Sequence, residues 1–146
     1  MVEIHSDRRW DFDVPAPTLW NAIAGVDAYQ RWWPWLRRFD GTGLVAGDTW
    51  RCVVQPPLPY AIRFRVAIEE VDPHRLVAAS VSGDVTGRAR LEIGATADGC
   101  EARLVSALSP GNGALKLVAA LARPLARFGH DWVLDTGATQ FAARAV

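Results

Sequence analysis

Few side chains in this 146-residue chain have the chemistry to orient or activate a bound molecule. Tyr60, Ser106 and Thr136 are the polar residues predicted to point inwards, and each hydroxyl could hydrogen-bond a carbonyl group. Serine becomes a nucleophile only beside a base, and no histidine pairs with Ser106 in the sequence pattern. These three residues are therefore weak catalytic candidates, and the chemistry they favour is hydrogen bonding.

The histidines and cysteines do not form a metal-binding pattern. Cys52 and Cys100 are widely separated, and no His/Cys cluster completes a zinc site. Two buried, reduced thiols are favoured over a disulfide. For His130, a solvated surface position is favoured over a catalytic one. The segments GTG and GNG are interpreted as turns and not as phosphate-binding loops, so we expect neither a metal nor a cofactor.

Three of the seven tryptophans fall in the segment RWWPWLRRF, residues 31 to 39. Trp32 and Trp33 lie ~100° apart on a helix, so both cannot face the core. One should anchor the core while the other lines a cavity or its rim, and Trp35, beyond Pro34, is freer to gate an opening. Packing is the favoured role of the cluster. Tryptophans beside arginines are also typical of the bilayer interface, so transient docking to a membrane surface is a second hypothesis.

The length predicts one domain, residues 1–146, built on one hydrophobic core. Half of the residues are apolar and the formal net charge is zero. Balanced charge without a basic motif makes nucleic-acid binding the weakest hypothesis. The N-terminus has no apolar run like that of a signal peptide, and no run approaches the ~20 residues of a membrane span. We therefore expect a cytoplasmic protein.

Two periodicities predict the elements that position these side chains. Residues 10 to 14 alternate as a half-buried strand, and two short helices follow, one closed by Gly25 and the other capped by Asp27 and stopped by Pro34. From about residue 37 to 109, alternating segments between turns predict an antiparallel meander with one buried face. The opposite, solvated face is predicted to carry Arg63, Arg65, Arg88, Arg90 and Arg103.

Residues 114 to 144 change to the helical period and predict a long amphipathic helix, kinked at Pro124. Ala122, Gly129 and Thr136 recur on its inward stripe, where small side chains leave either a hollow or close contact with the sheet. The large residues of that predicted stripe are Val118, Leu121, Leu125, Phe128 and Trp132.

This order of elements resembles the START-like helix-grip fold. The residues that carry the resemblance are DFDVPAPTLWNAIAGVDAYQRWWPWLRRF, GTGLVAGDTW, SGDVTGRARLEI and GHDWVLD. The sequence is therefore similar to the SRPBCC group, the polyketide cyclase/dehydrase and lipid-transport family of mostly bacterial proteins. The resemblance implies an α+β fold in which a curved antiparallel sheet of about seven strands surrounds the C-terminal helix and encloses a cavity. It also implies two short helices after the first strand.

The resemblance implies a class of ligand and no single activity. We predict binding, with transport as its extension, of a small hydrophobic or amphipathic ligand such as a lipid or polyketide. The alternative is a polyketide cyclase/dehydrase-type enzyme, similar to an aromatase, acting on an aromatic or polyketide substrate. Binding is favoured because apolar burial supplies affinity and the predicted lining has few proton-transfer groups. The predicted cavity residues are Trp33, Trp35, Trp50, Tyr60, Phe64, Val66, Leu91, Leu104, Leu125, Gly129 and Trp132.

Overall fold

The structure, a computed structural model, describes residues 3–57, 61–111 and 123–145, and for residues 123–126 it describes the backbone alone. Its strands and helices follow the predicted order. In chain order they are β1 (Ile4–Phe12), α1 (Ala16–Ala24), a 3-10 helix (Val26–Ala28), α2 (Tyr29–Trp32), β2 (Leu36–Asp40), β3 (Thr49–Val54), β4 (Ile62–Asp72), β5 (Leu76–Gly83), β6 (Val85–Ala95), β7 (Cys100–Pro110) and α3 (Arg123–Arg144).

The seven described strands form one antiparallel sheet in the order β1-β7-β6-β5-β4-β3-β2. The predicted α+β helix-grip fold is confirmed. The strands β1 and β2 lie at opposite edges of the sheet, although only α1, the 3-10 helix and α2 separate them in the chain. The register shifts within β2 and within β4. Such irregularities bend a strand and increase its twist, which helps a sheet to curve around a helix.

Buried and exposed side chains alternate along the strands as predicted. On β4, Ile68 is buried, whereas Arg63, Arg65 and Glu69 are exposed. Arg88 and Arg90 are likewise exposed on β6. The buried face of each strand therefore points towards α3.

The first strand begins at Ile4, whereas the predicted alternation begins at residue 10. The alternation of Trp10 and Phe12 continues backwards through Arg8 and Ser6, and these polar side chains concealed the start of the strand. Asp27 also differs from expectation. It lies inside the 3-10 helix, and no side chain caps this helix or α2.

The inward stripe of α3 is rotated relative to the prediction. Phe128 is 48% exposed, and its stripe continues through Trp132 to the exposed Asp135 and Thr139, which cannot face a core. The side chains that reach the cavity beneath the helix are Val133, Leu134, Gly137, Ala138 and Phe141.

Some predictions for this helix fall on the undescribed segment. Val118, Leu121 and Ala122 lie outside the described residues, as does the side chain of Leu125. Only the part of the helix that follows the predicted kink at Pro124 is described in full. None of the described helices is long and apolar enough to cross a membrane.

Both cysteines are buried and free, as predicted. Burial, with a smaller contribution from Asp40, raises the pKa of the Cys52 thiol to about 12. Burial also raises the pKa of Cys100. Since thiolates are the reactive form of cysteine, these protonated thiols act as small apolar side chains in the core.

Candidate ligand-binding site

A cavity of about 360 Å³ lies between the inner face of the sheet and α3. Its described lining comes from the strands, from Leu19 and Ile23 of α1, and from α3. The lining is almost wholly apolar. Arg90 is the one charged residue among the described lining residues, but its side chain is on the exposed face of β6, where the guanidinium donates to Glu92 over 2.8 Å.

Some of the residues that were predicted to line the cavity do so in the structure, and others do not. Phe64 is not among the lining residues, because it lies one inward position before Val66, towards the start of β4. Trp132 is also absent from the lining, because α3 is rotated as described above. Gly129 is buried, as expected for the inward side of α3, but does not line the cavity. Tyr60 and the side chain of Leu125 fall outside the described residues. The predicted residues that do line the cavity are Trp33, Trp35, Trp50, Val66, Leu91 and Leu104.

Several lining residues were missed by the sequence analysis. Trp10 and Phe12 line the cavity, and their alternation on β1 was the available signal. The adjacent small residues Gly137 and Ala138 were a second signal for the inward face of α3. Tyr29 could not be identified, since its burial depends on how α2 packs against β2 and β3.

The tryptophan rings are fixed by hydrogen bonds to the protein. The Trp33 indole N–H donates to the carbonyl oxygen of Gly137 over 2.9 Å, and the Trp35 indole N–H donates to Gln140 Oε1 over 2.8 Å. Trp50 donates to the carbonyl oxygen of Gly43 over 2.9 Å. The predicted freedom of Trp35 is therefore not found: its ring is tied to α3. These rings present apolar surfaces to the cavity.

Gly137 makes room for this arrangement. A Cβ atom at this position would lie 3.3 Å from Cζ2 of Trp35 and 3.8 Å from Nε1 of Trp33. The first distance is tighter than an ordinary van der Waals contact, so the missing side chain lets the rings approach the helix.

Trp32 has a different place from its neighbour Trp33. Its ring packs edge-on against Phe141, with centroids 5.3 Å apart, and against Tyr29 at 5.6 Å. Tyr29 is buried, its hydroxyl donates to the carbonyl oxygen of Ile23, and burial raises its pKa. The phenol therefore stays protonated at neutral pH and serves the packing of α2.

One row of inward side chains crosses the sheet beneath the cavity. Ile68, Ala79 and Ala89 pair in register across β4, β5 and β6, and all three line the cavity. The row continues with Ser106 on β7 and Ser6 on β1. Both serines are 7% exposed, and neither hydroxyl has a hydrogen-bond partner in the part of the chain that the structure describes. An unpaired buried hydroxyl costs about 1–3 kcal/mol of folding free energy, so this pair needs an explanation.

The two predicted hydroxyl residues that the structure describes, Ser106 and Thr136, do not line the cavity. Ser106 points inwards as predicted but lies beside the cavity lining and not within it. Thr136 is half-buried on the flank of α3 and does not line the cavity.

A charged group joins α3 to β1 beside these serines. Arg8, on the inward face of β1, forms ion pairs with Asp131 at 3.1 Å and Asp135 at 2.9 Å. Arg127 donates to the carbonyl oxygen of His5 over 3.3 Å and lies 3.4 Å from Asp131. This turn of α3 therefore lies over the first half of β1.

His130 is 11% exposed at its side chain, so the expectation of a solvated histidine is wrong. Its Nδ1 lies 3.2 Å from Asp131 Oδ1. Burial lowers the pKa of His130, and the contact with Asp131 only partly offsets this effect. Burial raises the pKa of Asp131, but the hydrogen bond to His130 and the charges of Arg127 and Arg8 lower it by more. At neutral pH the pair is therefore an ionised carboxylate beside a neutral imidazole.

These charges fix the tautomer of His130. An ionised carboxylate only accepts hydrogen bonds, so Nδ1 of the neutral ring must carry the proton. Nε2 is then an acceptor, and it has no partner among the described residues. This arrangement could not be predicted from the sequence, because it depends on the rotation of α3 and on the ion pairs between Arg8 and α3.

Solved structures share this architecture at low sequence identity. The structure of TTHA0849 from Thermus thermophilus superposes with a TM-score of 0.75 at 11% identity, covering 99% of this chain and 97% of that one. The ZhuI aromatase/cyclase from Streptomyces sp. R1128 gives 0.67 at 18% identity, covering 97% and 90%. Norcoclaurine synthase from Thalictrum flavum, solved with dopamine and hydroxybenzaldehyde, gives 0.64 at 11% identity, covering 99% and 90%.

Comparison of sequences gives a more specific result than these superpositions. Among curated proteins, no sequence matches this chain. A family match spans residues 3–145, nearly the whole chain, and carries the description polyketide cyclase / dehydrase and lipid transport. The predicted resemblance is confirmed, and the chain belongs to the polyketide cyclase/dehydrase and lipid-transport family.

Proposed function

We propose that this protein binds a small hydrophobic or amphipathic molecule in the cavity between the sheet and α3. The observation that carries the proposal is the cavity itself, about 360 Å³ in volume with an apolar lining. Removing apolar surface from water contributes roughly 25 cal/mol per Å², so a ligand that buries about 200 Å² gains about 5 kcal/mol from the lining alone. Association entropy offsets part of this gain.

The volume limits the size of the ligand. Ligand pockets commonly span roughly 300–1,000 Å³, and this cavity of about 360 Å³ lies near the lower end of that range. One or two fused rings, or a short acyl chain, suit it better than a sterol or a long fatty acid. The aromatic rings of Trp33, Trp35 and Trp50 favour a flat, unsaturated ligand, because aromatic pairs stabilise each other beyond simple burial.

Two adjacent alanines on β5 offer a direct test. Ala79 lines the cavity, whereas Ala78 points to the opposite face of the sheet. We expect Ala79→Leu to reduce the affinity for naphthalene, measured by quenching of tryptophan fluorescence, by at least ~10-fold, since added methyl groups occupy ligand space. Ala78→Leu is the matched control and should bind as the wild type does. Equal affinities in all three proteins would contradict binding in this cavity.

Native mass spectrometry of the freshly purified protein provides an independent test. A stoichiometric apolar passenger, identified after solvent extraction, would define the ligand class. A protein that carries nothing and shows no thermal stabilisation by fatty acids, sterols or aromatic polyketides would argue for an interaction or regulatory role.

Catalysis on an aromatic or polyketide substrate is a second candidate function. The observation that favours it is the His130–Asp131 pair, because a neutral imidazole oriented by a carboxylate is suited to accept a proton through Nε2. The test is cyclisation of a short poly-β-keto thioester. Turnover that is lost in His130→Gln while naphthalene binding persists would support an enzyme. Absence of turnover by the wild type under conditions where ligand binds would leave binding alone.

A further inference from the structure

We propose that Ser6, Ser106 and His130 form a polar end of the cavity that binds a hydroxyl group of an otherwise apolar ligand. This inference rests on the proposed function and narrows its ligand to a class, small phenols and related aromatic alcohols. It explains the two buried hydroxyls and the free ring nitrogen of His130, which the apolar cavity alone leaves unexplained.

The register of the sheet places the serines beside the ligand space. Ala89 lines the cavity and pairs directly with Ser106, which pairs with Ser6. Leu104, the preceding inward residue of β7, also lines the cavity. The two serines therefore continue the inward row of side chains from Ala89 towards β1, next to the lining residues, at the point where the row changes from apolar to polar.

The helix places His130 over the same end of the floor. Leu134 lines the cavity, and His130 lies four residues earlier on the same face of α3. On either side of His130, Arg127 contacts the carbonyl oxygen of His5 and Asp131 contacts Arg8, so this turn spans the part of β1 that contains Ser6.

The donor and acceptor groups match a hydroxyl. A hydroxyl donates one hydrogen bond and accepts others, while Nε2 of His130 offers an acceptor and a serine hydroxyl donates. A ketone would leave Nε2 without a donor. The tryptophan side of the cavity does not compete for this group, because the indole N–H groups of Trp33, Trp35 and Trp50 already have protein acceptors.

The test compares 2-naphthol with naphthalene, two probes that share one apolar body and differ by one hydroxyl. Dissociation constants from fluorescence quenching give the preference for 2-naphthol in each variant. In the double variant Ser6→Ala/Ser106→Ala and in His130→Phe we expect this preference to fall by about 10-fold, the size of one or two lost hydrogen bonds. Naphthalene affinity should change by less than about 3-fold. Ser80→Ala, on the outer face of β5, is the control and should keep the wild-type preference.

The outcomes separate this inference from the proposed function. If naphthalene binds but the preference for 2-naphthol is the same in all variants, the polar end is wrong and the cavity proposal stands. If neither probe binds the wild type, both proposals fail. Thermal melts identify any variant that does not fold. If His130→Phe does not fold, the serine double variant still tests the proposal. Removing two unpaired hydroxyls should preserve or raise its melting temperature.

Discussion

At the tryptophan end of the cavity, formed by Trp33, Trp35 and Gly137, the polar atoms of the rings are paired within the protein. At the serine end, formed by Ser6, Ser106 and His130, two hydroxyls are buried without partners among the residues that the structure describes, and the His130 side chain is 11% exposed. Both ends join the sheet to α3, and both are largely shielded from solvent.

The difference indicates that the tryptophan end holds the fold together, whereas the serine end is suited to bind a ligand. Hydrogen bonds that are complete within the protein fix the distance and rotation of α3, and they leave only apolar surface for a ligand. Buried groups without partners reduce stability, so their presence at the serine end favours a role that needs them free. The four predictions below test that contrast, starting with the largest effect.

Phe141 should be the most sensitive position of the tryptophan end. It is 7% exposed and packs against Phe12, Trp32 and Trp33. Truncation of such a phenylalanine typically removes about 3–5 kcal/mol from the free energy of unfolding, so urea titration of Phe141→Ala should show a loss of that size. Phe128→Ala is the control on the same helix, and because Phe128 is 48% exposed its loss should stay below about 1 kcal/mol. Equal losses would mean that the rotation of α3 is wrong.

Gly137 should tolerate no branched side chain. We expect Gly137→Val to lose about 1–3 kcal/mol of unfolding free energy, because its Cβ would press on Trp35 and its methyl groups need further space. Near-ultraviolet circular dichroism should report the displaced rings. Gly94→Val, at a position with open space around the missing side chain, is the control for the added bulk. An undisturbed aromatic spectrum in Gly137→Val would contradict the close approach of rings and helix.

Substitution of Gln140 tests the hydrogen bond that it accepts from the indole N–H of Trp35. In Gln140→Leu the indole N–H of Trp35 loses its acceptor, and we expect a loss of about 1–2 kcal/mol in a urea titration. Gln140→Glu keeps an oxygen acceptor and should lose less than Gln140→Leu. If both variants matched the wild type, the bond would contribute nothing to the attachment of α3.

His130 should make the free energy of unfolding depend weakly on pH. Because burial depresses its pKa in the folded state, the unfolded chain binds a proton more readily, and stability should fall as the pH drops below the ordinary histidine value of ~6.5. The charged groups that face His130 are Asp131, Arg8 and Arg127. Urea titrations at pH values within about one unit of ~6.5 should show that the free energy of unfolding depends less on pH in His130→Gln than in the wild type. An identical slope in both proteins would remove His130 as a buried, titrating group.

The fold could be predicted well from the sequence because each strand has one solvent-exposed face and one buried face. The period-2 pattern of β4, β6 and β7 assigned their inward residues correctly, and the cavity residues Val66, Leu91 and Leu104 followed from it. Such a pattern depends on local alternation alone, which a single sequence contains.

The prediction was weaker where the outcome depends on contacts between distant elements. The rotation of α3 is set by Trp33 and Trp35, which bond Gly137 and Gln140 more than a hundred positions later in the chain. A helical wheel cannot contain that information, so Phe128 was placed inwards and His130 outwards. The alternation that predicts β1 begins only at Trp10, because Ser6 and Arg8 lack the apolar pattern by which strands are recognised.

The pairing of β1 with β7 has a consequence for how the chain reaches this structure. Ile4 pairs with Leu108, so the first strand completes its hydrogen bonds only after nearly three-quarters of the chain is available. Until then Trp10 and Phe12 have no sheet to cover them, whereas β3 to β7 can assemble in turn from neighbouring hairpins. Loop closure over such a distance slows folding, and newly synthesised N-terminal segments remain exposed to other chains for that time. Closure of β1 against β7 is therefore the step that covers Trp10 and Phe12 and completes the sheet on which α3 packs.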